Sequence, residues 1–213
     1  MEVGTFAAMS EALRELAEEA LVCVRCRLAE TRTQVVFGVG DPAADLMFVG
    51  EAPGFNEDQR GEPFVGAAGQ LLNRLLSEIG LSREDVYIAN VIKCRPPGNR
   101  DPLPDEIDCC KSYLRGQISL IDPNVVVTLG NFATKLLLRT ETGITRLRGQ
   151  SYPWWQGRLL VPTYHPAAAL RSPNSLIPEM QSDFQLISRS LANPRVPPSP
   201  VVEKGSEQMN LFS

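Results

Sequence analysis

The sequence predicts an α/β fold: a three-layer αβα domain with a central four-stranded, mostly parallel sheet and helices on both faces. Short apolar runs, rich in β-branched residues, alternate along the chain with longer segments of helical periodicity. Strands that alternate with helices form parallel sheets, because each connection crosses one face of the sheet. At 213 residues, with 43% hydrophobic and 22% charged content, the chain is large enough to bury the core of one such domain.

The predicted elements follow one another in the order that this fold requires. Strands are expected at 46–49, 86–94, 125–130 and 159–164, and helices at 9–22, 67–79, 104–121, 131–138 and 177–191. Ser10 and Asn131 are expected to cap the first and fourth of these helices. The domain is expected to cover residues 1–192, and the Pro-rich residues 193–213 to form a flexible tail, because proline supports neither a helix interior nor a central strand.

The bulk properties exclude some classes of function. Net charge is -4 and the isoelectric point is about 5.2, so nothing indicates a generally basic nucleic-acid coat, although a local basic face stays open. No apolar run is as long as a membrane span, and no signal peptide is visible. We therefore expect a cytoplasmic monomer without a membrane partner. In that compartment, five cysteines are typical of metal ligands or buried thiols rather than disulfides.

The stretch from Gly50 to Gly66 is predicted to be the ligand-binding loop. It follows the first apolar strand and reads Gly-Glu-Ala-Pro-Gly-Phe-Asn-Glu-Asp, then Gly-Glu-Pro-Phe-Val-Gly. In open α/β sheets, ligands lie beyond the carboxyl ends of the strands. A strand that ends in glycine, proline and acids is therefore typical of a binding loop rather than a hairpin.

Three polar or aromatic residues add to this loop. His165 is the only histidine and follows the fourth strand, Asn90 interrupts the apolar second strand, and Phe64 lies in the loop itself. A buried amide needs hydrogen-bond partners, and a pocket is one way to supply them. With Glu51, these side chains suit a flat polar ring, although a lone histidine or phenylalanine is more often structural.

The cysteine spacing indicates a metal centre. Cys23 and Cys26 have the two-residue gap that lets two thiolates reach one centre, Cys94 ends the second strand, and Cys109 and Cys110 lie on the next helix. Such a set suits a zinc ion or a four-iron cluster, and the absence of a second Cys-x-x-Cys favours the cluster. Reduced buried cysteines remain an alternative. Spacing alone leaves open whether Cys109 or Cys110 is the ligand.

Together these motifs strongly resemble the uracil-DNA glycosylases with an iron-sulfur cluster, the family 4 branch of their superfamily. The resemblance covers about Cys23 to Leu191 and is carried by four separated segments, at 50–58, 63–69, 90–100 and 165–168. It implies a [4Fe-4S] cluster on four cysteines, and Cys110-Lys-Ser-Tyr-Leu fits the pattern of the last ligand. The implied cluster ligands are Cys23, Cys26, Cys94 and Cys110.

The resemblance also implies the roles of the pocket residues. Phe64 would stack on a uracil flipped out of DNA, and Asn90 would read its N3 and O4 edge. His165 would donate to O2 as the glycosidic bond breaks. Backbone amides near Glu51 and Ala52 would add donors.

The remaining implied roles concern water and DNA. Glu51 is the first choice for the carboxylate that orients water, and Glu57 is the second, with a pocket wall that excludes the thymine methyl as its alternative. Leu170 and Arg171, in the loop expected after the histidine, would supply an apolar wedge and a phosphate contact. Ala52 and the absence of a histidine from residues 94–104 separate the chain from a related branch that cross-links to uracil-DNA.

Two further hypotheses concern partners and rivals. The tail ends in Gln208-Met-Asn-Leu-Phe212, which resembles the pentapeptide by which bacterial repair proteins bind the β sliding clamp. The expected substrate is uracil-containing DNA, single- or double-stranded. The rival functions are a non-catalytic DNA-damage binder and a deaminase-like enzyme or hydrolase that acts on free nucleotides. A pure binder would not need the acid, amide and histidine together.

Overall fold

The computed structural model describes residues 10–192. The tail, with its predicted clamp-binding peptide at Gln208 to Phe212, lies outside the described residues. Within residues 10–192 no helix is both long enough and apolar enough to cross a membrane.

A six-stranded mixed sheet forms the centre of the described domain, in the order β1-β3-β2-β4-β6-β5. β3, β2, β4 and β6 run parallel, and the short β1 and β5 are antiparallel strands at the two edges. The strands are β1 (Val39–Gly40), β2 (Leu46–Gly50), β3 (Tyr87–Asn90), β4 (Val125–Leu129), β5 (Tyr152–Trp154) and β6 (Arg158–Thr163). The predicted four-stranded parallel sheet is thus present, with one unpredicted strand added at each edge.

Helices cover both faces of this sheet. They are α1 (Glu11–Leu21), α2 (Phe55–Arg60), α3 (Ala67–Glu78), α4 (Pro104–Ile121), α5 (Asn131–Leu138), α6 (Ile144–Leu147), α7 (Pro166–Arg171) and α8 (Pro173–Leu191). Because side chains alternate along a strand, Met47 and Val49 pack with α1, α4 and α5, whereas Leu46 and Phe48 pack with α3 and α8. These two cores confirm the three-layer architecture.

Several local expectations need correction. β3 ends at Asn90, four residues before the predicted end, because the apolar residues that follow leave the strand and are buried in the core instead. Asn131 is the first residue of α5 rather than its cap, and its side chain accepts a hydrogen bond from the backbone of Ile144. α8 begins at Pro173, since a proline fits the first turn of a helix. Ser10 caps α1 as predicted.

Candidate active site

A cleft of about 970 Å³ opens at the carboxyl edge of the parallel strands. Glu51 follows β2, Asn90 ends β3, and His165 follows β6, so the sheet itself brings these side chains to one edge. All three line the cleft together with Phe64 and Glu57. The predicted pocket residues are therefore neighbours in space, which is what the position of each at a strand end indicates.

Asn90 presents an unsatisfied acceptor. The residue is only 2% exposed, and within the described residues its Oδ1 has no hydrogen-bond partner. Buried amides are almost always paired, because an unpaired buried acceptor is costly. An acceptor left free beside a cleft is therefore suited to a ligand donor.

The backbone of Asn90 is fixed from behind by a buried lysine. Lys93, which is 1% exposed, donates from Nζ to the Asn90 carbonyl at 2.8 Å and to Gln117 Oε1 at 2.6 Å. Gln117 donates in turn to the Phe37 carbonyl at 2.8 Å. This network holds the end of β3 in place and leaves the Asn90 side chain to face the cleft.

Gly50 is required for the close approach of two pocket side chains. A Cβ at this position would lie 2.3 Å from Asn90 Oδ1 and 2.8 Å from Phe64 Cζ. Real Cβ atoms do not make such contacts, so any side chain at Gly50 would displace both. The glycine that begins the predicted loop therefore shapes the pocket.

Phe64 has a strained backbone that several contacts stabilise. Its φ of 54° lies in the left-handed region, which is rare for an aromatic residue. Arg83 donates to the carbonyls of Pro63 at 2.7 Å and Phe64 at 3.3 Å. Gly69 leaves room for the loop, because a Cβ there would lie 1.7 Å from the Phe64 carbonyl oxygen. In this conformation the Phe64 ring lies beside that of His165, with the ring centroids 5.5 Å apart.

His165 is held as a neutral hydrogen-bond donor. The Ala167 backbone N–H donates to its Nδ1 at 3.1 Å, so the proton of the neutral ring is on Nε2. Burial, with a smaller contribution from Arg171, lowers the pKa of His165 to about 4. At neutral pH the ring is uncharged.

The pKa of Glu51 is shifted in the opposite direction, upward. Burial, and then the nearby charge of Asp101, raises its pKa to about 7. Within the described residues its carboxylate makes no hydrogen bond. A carboxyl group that titrates near neutrality and is not engaged by the protein is suited to general acid–base chemistry.

Glu57, the second acid, is engaged by the protein. Its Oε1 accepts hydrogen bonds from the backbone N–H groups of Val65 at 3.0 Å and Gly66 at 3.4 Å. These groups precede α3, where the helix dipole favours a carboxylate. Glu57 therefore holds the Phe64 loop in place and also lines the cleft.

The other predicted site residues are more peripheral. Ala52 lines the cleft, and so does Arg171. Leu170 is 41% exposed. Both Leu170 and Arg171 lie in the short helix α7 rather than in the expected loop, because Pro166 starts a helical turn directly after His165.

The cysteines surround a second, narrow cavity. Cys23 and Cys26 follow α1, Cys94 follows β3, and Cys109 and Cys110 belong to α4, and all five line this cavity. Within residues 10–192, no three histidine, cysteine or acidic side chains converge closely enough to hold a single metal ion.

N–H groups point at two of the sulfurs. The Lys93 backbone N–H donates to Cys110 Sγ at 3.2 Å, and Arg32 donates to Cys94 Sγ at 3.5 Å. Cys109 lines the cavity as well, and its own thiol donates to the Arg25 carbonyl at 3.3 Å. Cys109 thus differs from Cys94 and Cys110, because its thiol donates a hydrogen bond whereas their sulfurs accept one.

Sequence reasoning missed some residues that shape the site. Lys93 had the same signal as Asn90, a polar residue in an apolar run, and could have been found in that way. Arg83 and Asp101 carry no local signal, because their roles depend on contacts with distant segments.

The cleft combines a free buried acceptor with an aromatic ring and a histidine, a set that suits a planar ring with hydrogen-bonding groups on its edge. The uracil DNA glycosylase superfamily model matches residues 37–191, and the chain belongs to that superfamily.

Three relatives show the same relationship. The chain is 47% identical to the type-4 uracil-DNA glycosylase of Sulfurisphaera tokodaii, over 87% of each chain. It is 48% identical to that of Archaeoglobus fulgidus, over 83% of this chain and 92% of the other. It is 46% identical to that of Saccharolobus solfataricus, over 84% of this chain and 86% of the other.

Proposed function

We propose that the protein removes uracil from DNA by hydrolysing the N-glycosidic bond, leaving an abasic site. The observation that carries the proposal is the free, buried acceptor of Asn90 in a cleft that also contains Phe64 and a neutral His165. The relatives, which are type-4 uracil-DNA glycosylases, support the same substrate.

Recognition depends on the edge of the base. A uracil that has left the stack would lie on the Phe64 ring, because no side chain reaches its glycosidic bond inside the duplex. Asn90 Oδ1 would accept from N3–H, and its amide NH₂ would donate to O4. Cytosine has an acceptor at N3 and a donor at N4, so it would meet the same amide with both groups mismatched.

Bond cleavage places negative charge on the base and positive charge on the sugar. The Nε2–H of His165 would donate to O2, where charge develops as the uracil anion leaves. The ionised carboxylate of Glu51 would stabilise the sugar cation and accept a proton from the water that attacks C1′. In this proposal Glu51 activates the attacking water, and Glu57 supports the Phe64 loop.

The test is cleavage of an oligonucleotide with one uracil, followed by alkali to break the abasic site. His165→Ala should abolish cleavage and Asn90→Ala should reduce it by at least about 100-fold, since a pocket donor or acceptor contributes a few kcal/mol. Asn124→Ala is the matched control, because it also removes a side-chain amide, which here bonds to Asp45 at the amino ends of the strands, opposite the cleft.

The control should retain wild-type rates on the same substrate. An oligonucleotide with cytosine in place of uracil should stay intact with every variant. Absence of cleavage of any uracil substrate by the wild-type protein would contradict the proposal.

We further infer that Cys23, Cys26, Cys94 and Cys110 hold a [4Fe-4S] cluster. Four thiols that surround a cavity without converging on one point suit a cluster better than a zinc ion, which needs sulfurs at about 2.3 Å. The N–H donors toward Cys94 and Cys110 are typical of the hydrogen bonds that support cluster sulfurs. When bound, the cluster would act structurally, by joining α1 to β3 and α4.

Iron analysis tests this set of ligands. The wild-type protein should contain about four iron atoms per chain and show the brown colour of such clusters. Cys110→Ser should lose iron and colour, whereas Cys109→Ser should keep both. The reverse result would exchange the two cysteines, and zinc in place of iron would refute the cluster.

We also propose that the tail binds a β sliding clamp through Gln208 to Phe212. A Pro-rich segment followed by an apolar peptide suits docking into an apolar groove. Deletion of residues 208–213 should abolish clamp binding while activity on short oligonucleotides is retained. Unchanged clamp binding would refute this proposal.

A further inference from the structure

An exposed aromatic ring and an arginine form a cation–π pair next to the cleft. Phe55, the first residue of α2, is 56% exposed, which is far more than is usual for phenylalanine. The guanidinium carbon of Arg95 lies 5.1 Å from the centroid of its ring. Gly54 and Pro96, the chain neighbours of the pair, both line the cleft. Phe55 and Arg95 do not line the cleft themselves, so the pair lies beside it, next to residues that do.

The arginine of this pair is fixed in place. Its Nε donates to Asn99 Oδ1 at 2.7 Å, and Asn99 has a φ of 54°, a left-handed conformation that asparagine tolerates. Asn99 also lines the cleft. A guanidinium that is already oriented loses little side-chain entropy when a further group packs against the pair.

The chemistry of the pair suits a nucleobase. Aromatic rings and arginine planes at the edge of a groove are the groups on which unpaired bases stack, whatever their sequence. The arginine charge also favours the phosphate beside such a base. A purely structural ring would be buried, and more than half of this one is exposed.

We propose that Phe55 and Arg95 form a stacking subsite for the nucleobase next to the flipped uracil in single-stranded DNA. This proposal rests on the proposed function. When uracil leaves the stack, its neighbour loses one of its two stacking partners, and in a single strand no opposite base holds it. The exposed ring replaces the lost stacking partner, and this contact holds the DNA strand in position at the cleft.

The experiment pairs a protein change with a substrate change. One single-stranded oligonucleotide has uracil between two adenines, and a second has abasic analogues in place of both adenines. The wild-type kcat/KM should be about tenfold higher for the first substrate, given the stabilisation that one base–aromatic stack provides. For Phe55→Ala the ratio should approach one, and Phe55→Tyr should restore it.

Leu120→Ala is the matched control. Leu120 is also an exposed apolar residue, at 39%, but it lies on α4 and does not line the cleft. This variant should keep the wild-type ratio.

The outcomes separate the two proposals. If the wild-type protein cleaves uracil-DNA but Phe55→Ala keeps the tenfold ratio, the subsite is refuted and the glycosylase function stands. If the wild-type protein cleaves neither substrate, the function itself fails. A ratio near one in the wild-type protein would also refute the subsite, because the flanking base would then contribute nothing.

Discussion

Glu51→Gln is the substitution that tests the proposed chemistry most directly. The glutamine keeps the size of the side chain and removes its ability to ionise. Because the pKa of Glu51 is raised to about 7, the wild-type carboxyl should be about one-eleventh ionised at pH 6 and about ten-elevenths ionised at pH 8. If the ionised form assists the water, kcat/KM should rise about tenfold between these two pH values.

The pH profile of His165 does not interfere with this test. Its pKa is lowered to about 4, so the ring stays neutral throughout the range from pH 6 to pH 8. Glu51→Gln should therefore be slow and nearly independent of pH in that window. Because bound DNA adds negative charge near the carboxylate, the profile of kcat should turn at a higher pH than that of kcat/KM.

As pH rises, the contribution of Glu51 to the stability of the wild-type protein should fall while the activity rises. A carboxyl whose pKa is higher in the folded than in the unfolded protein favours folding when protonated, so this contribution is lost as pH rises from about 4.5 to about 7. Because Glu51 is partly exposed, solvent weakens this effect. Glu51→Gln, which removes the charge, should therefore stabilise the protein by only about 1 kcal/mol at pH 8. Urea denaturation of both proteins at pH 5 and pH 8 measures this difference.

Two results would refute the reasoning. A wild-type profile that is flat from pH 6 to pH 8 would mean that Glu51 does not titrate there or does not assist the water. A tenfold rise that persists in Glu51→Gln would assign the titration to another group, and Glu57→Gln would then be the next variant to measure.

Two further predictions concern packing. Gly50→Ala should lower kcat/KM for uracil-DNA by about 100-fold or more while leaving the circular dichroism spectrum unchanged, because its Cβ would displace Asn90; wild-type activity would contradict the pocket geometry. Asp183→Ala should lower the free energy of unfolding by about 3–5 kcal/mol in urea, since Arg148 loses a buried carboxylate partner 2.6 Å away. Lys135→Ala, which breaks an exposed ion pair, should cost less than about 1 kcal/mol, and equal losses would contradict the argument.

The central part of the fold could be predicted because its signal is local. Each parallel strand contains a short run of apolar residues, and β2 and β4 are buried along their whole length, as burial on both faces of the sheet requires. The two edge strands were missed for physical reasons. β1 has only two residues, which is too short for a recognisable pattern. β5 contains Pro153, and a proline is tolerated in an edge strand but is not typical of a strand sequence.

The members of the site could also be predicted, but its geometry could not. Glu51, Asn90 and His165 are polar residues at strand ends, and parallel strands bring such residues together. The left-handed backbone of Phe64, however, depends on Arg83, which comes from a turn about 20 positions away in the chain. The tautomer of His165 depends on a single backbone N–H, for which residue identity gives no signal.

One physical cause explains the two opposite pKa shifts in the cleft. Burial is the leading cause in both cases, and it favours the uncharged form of each group, so the pKa of His165 falls and that of Glu51 rises. The histidine is thereby kept as a neutral donor for the base, while the acid can still lose its proton near neutral pH. Above about pH 7 each group has the charge that the proposed reaction requires, which is the separation of acid and base roles by environment seen in other active sites.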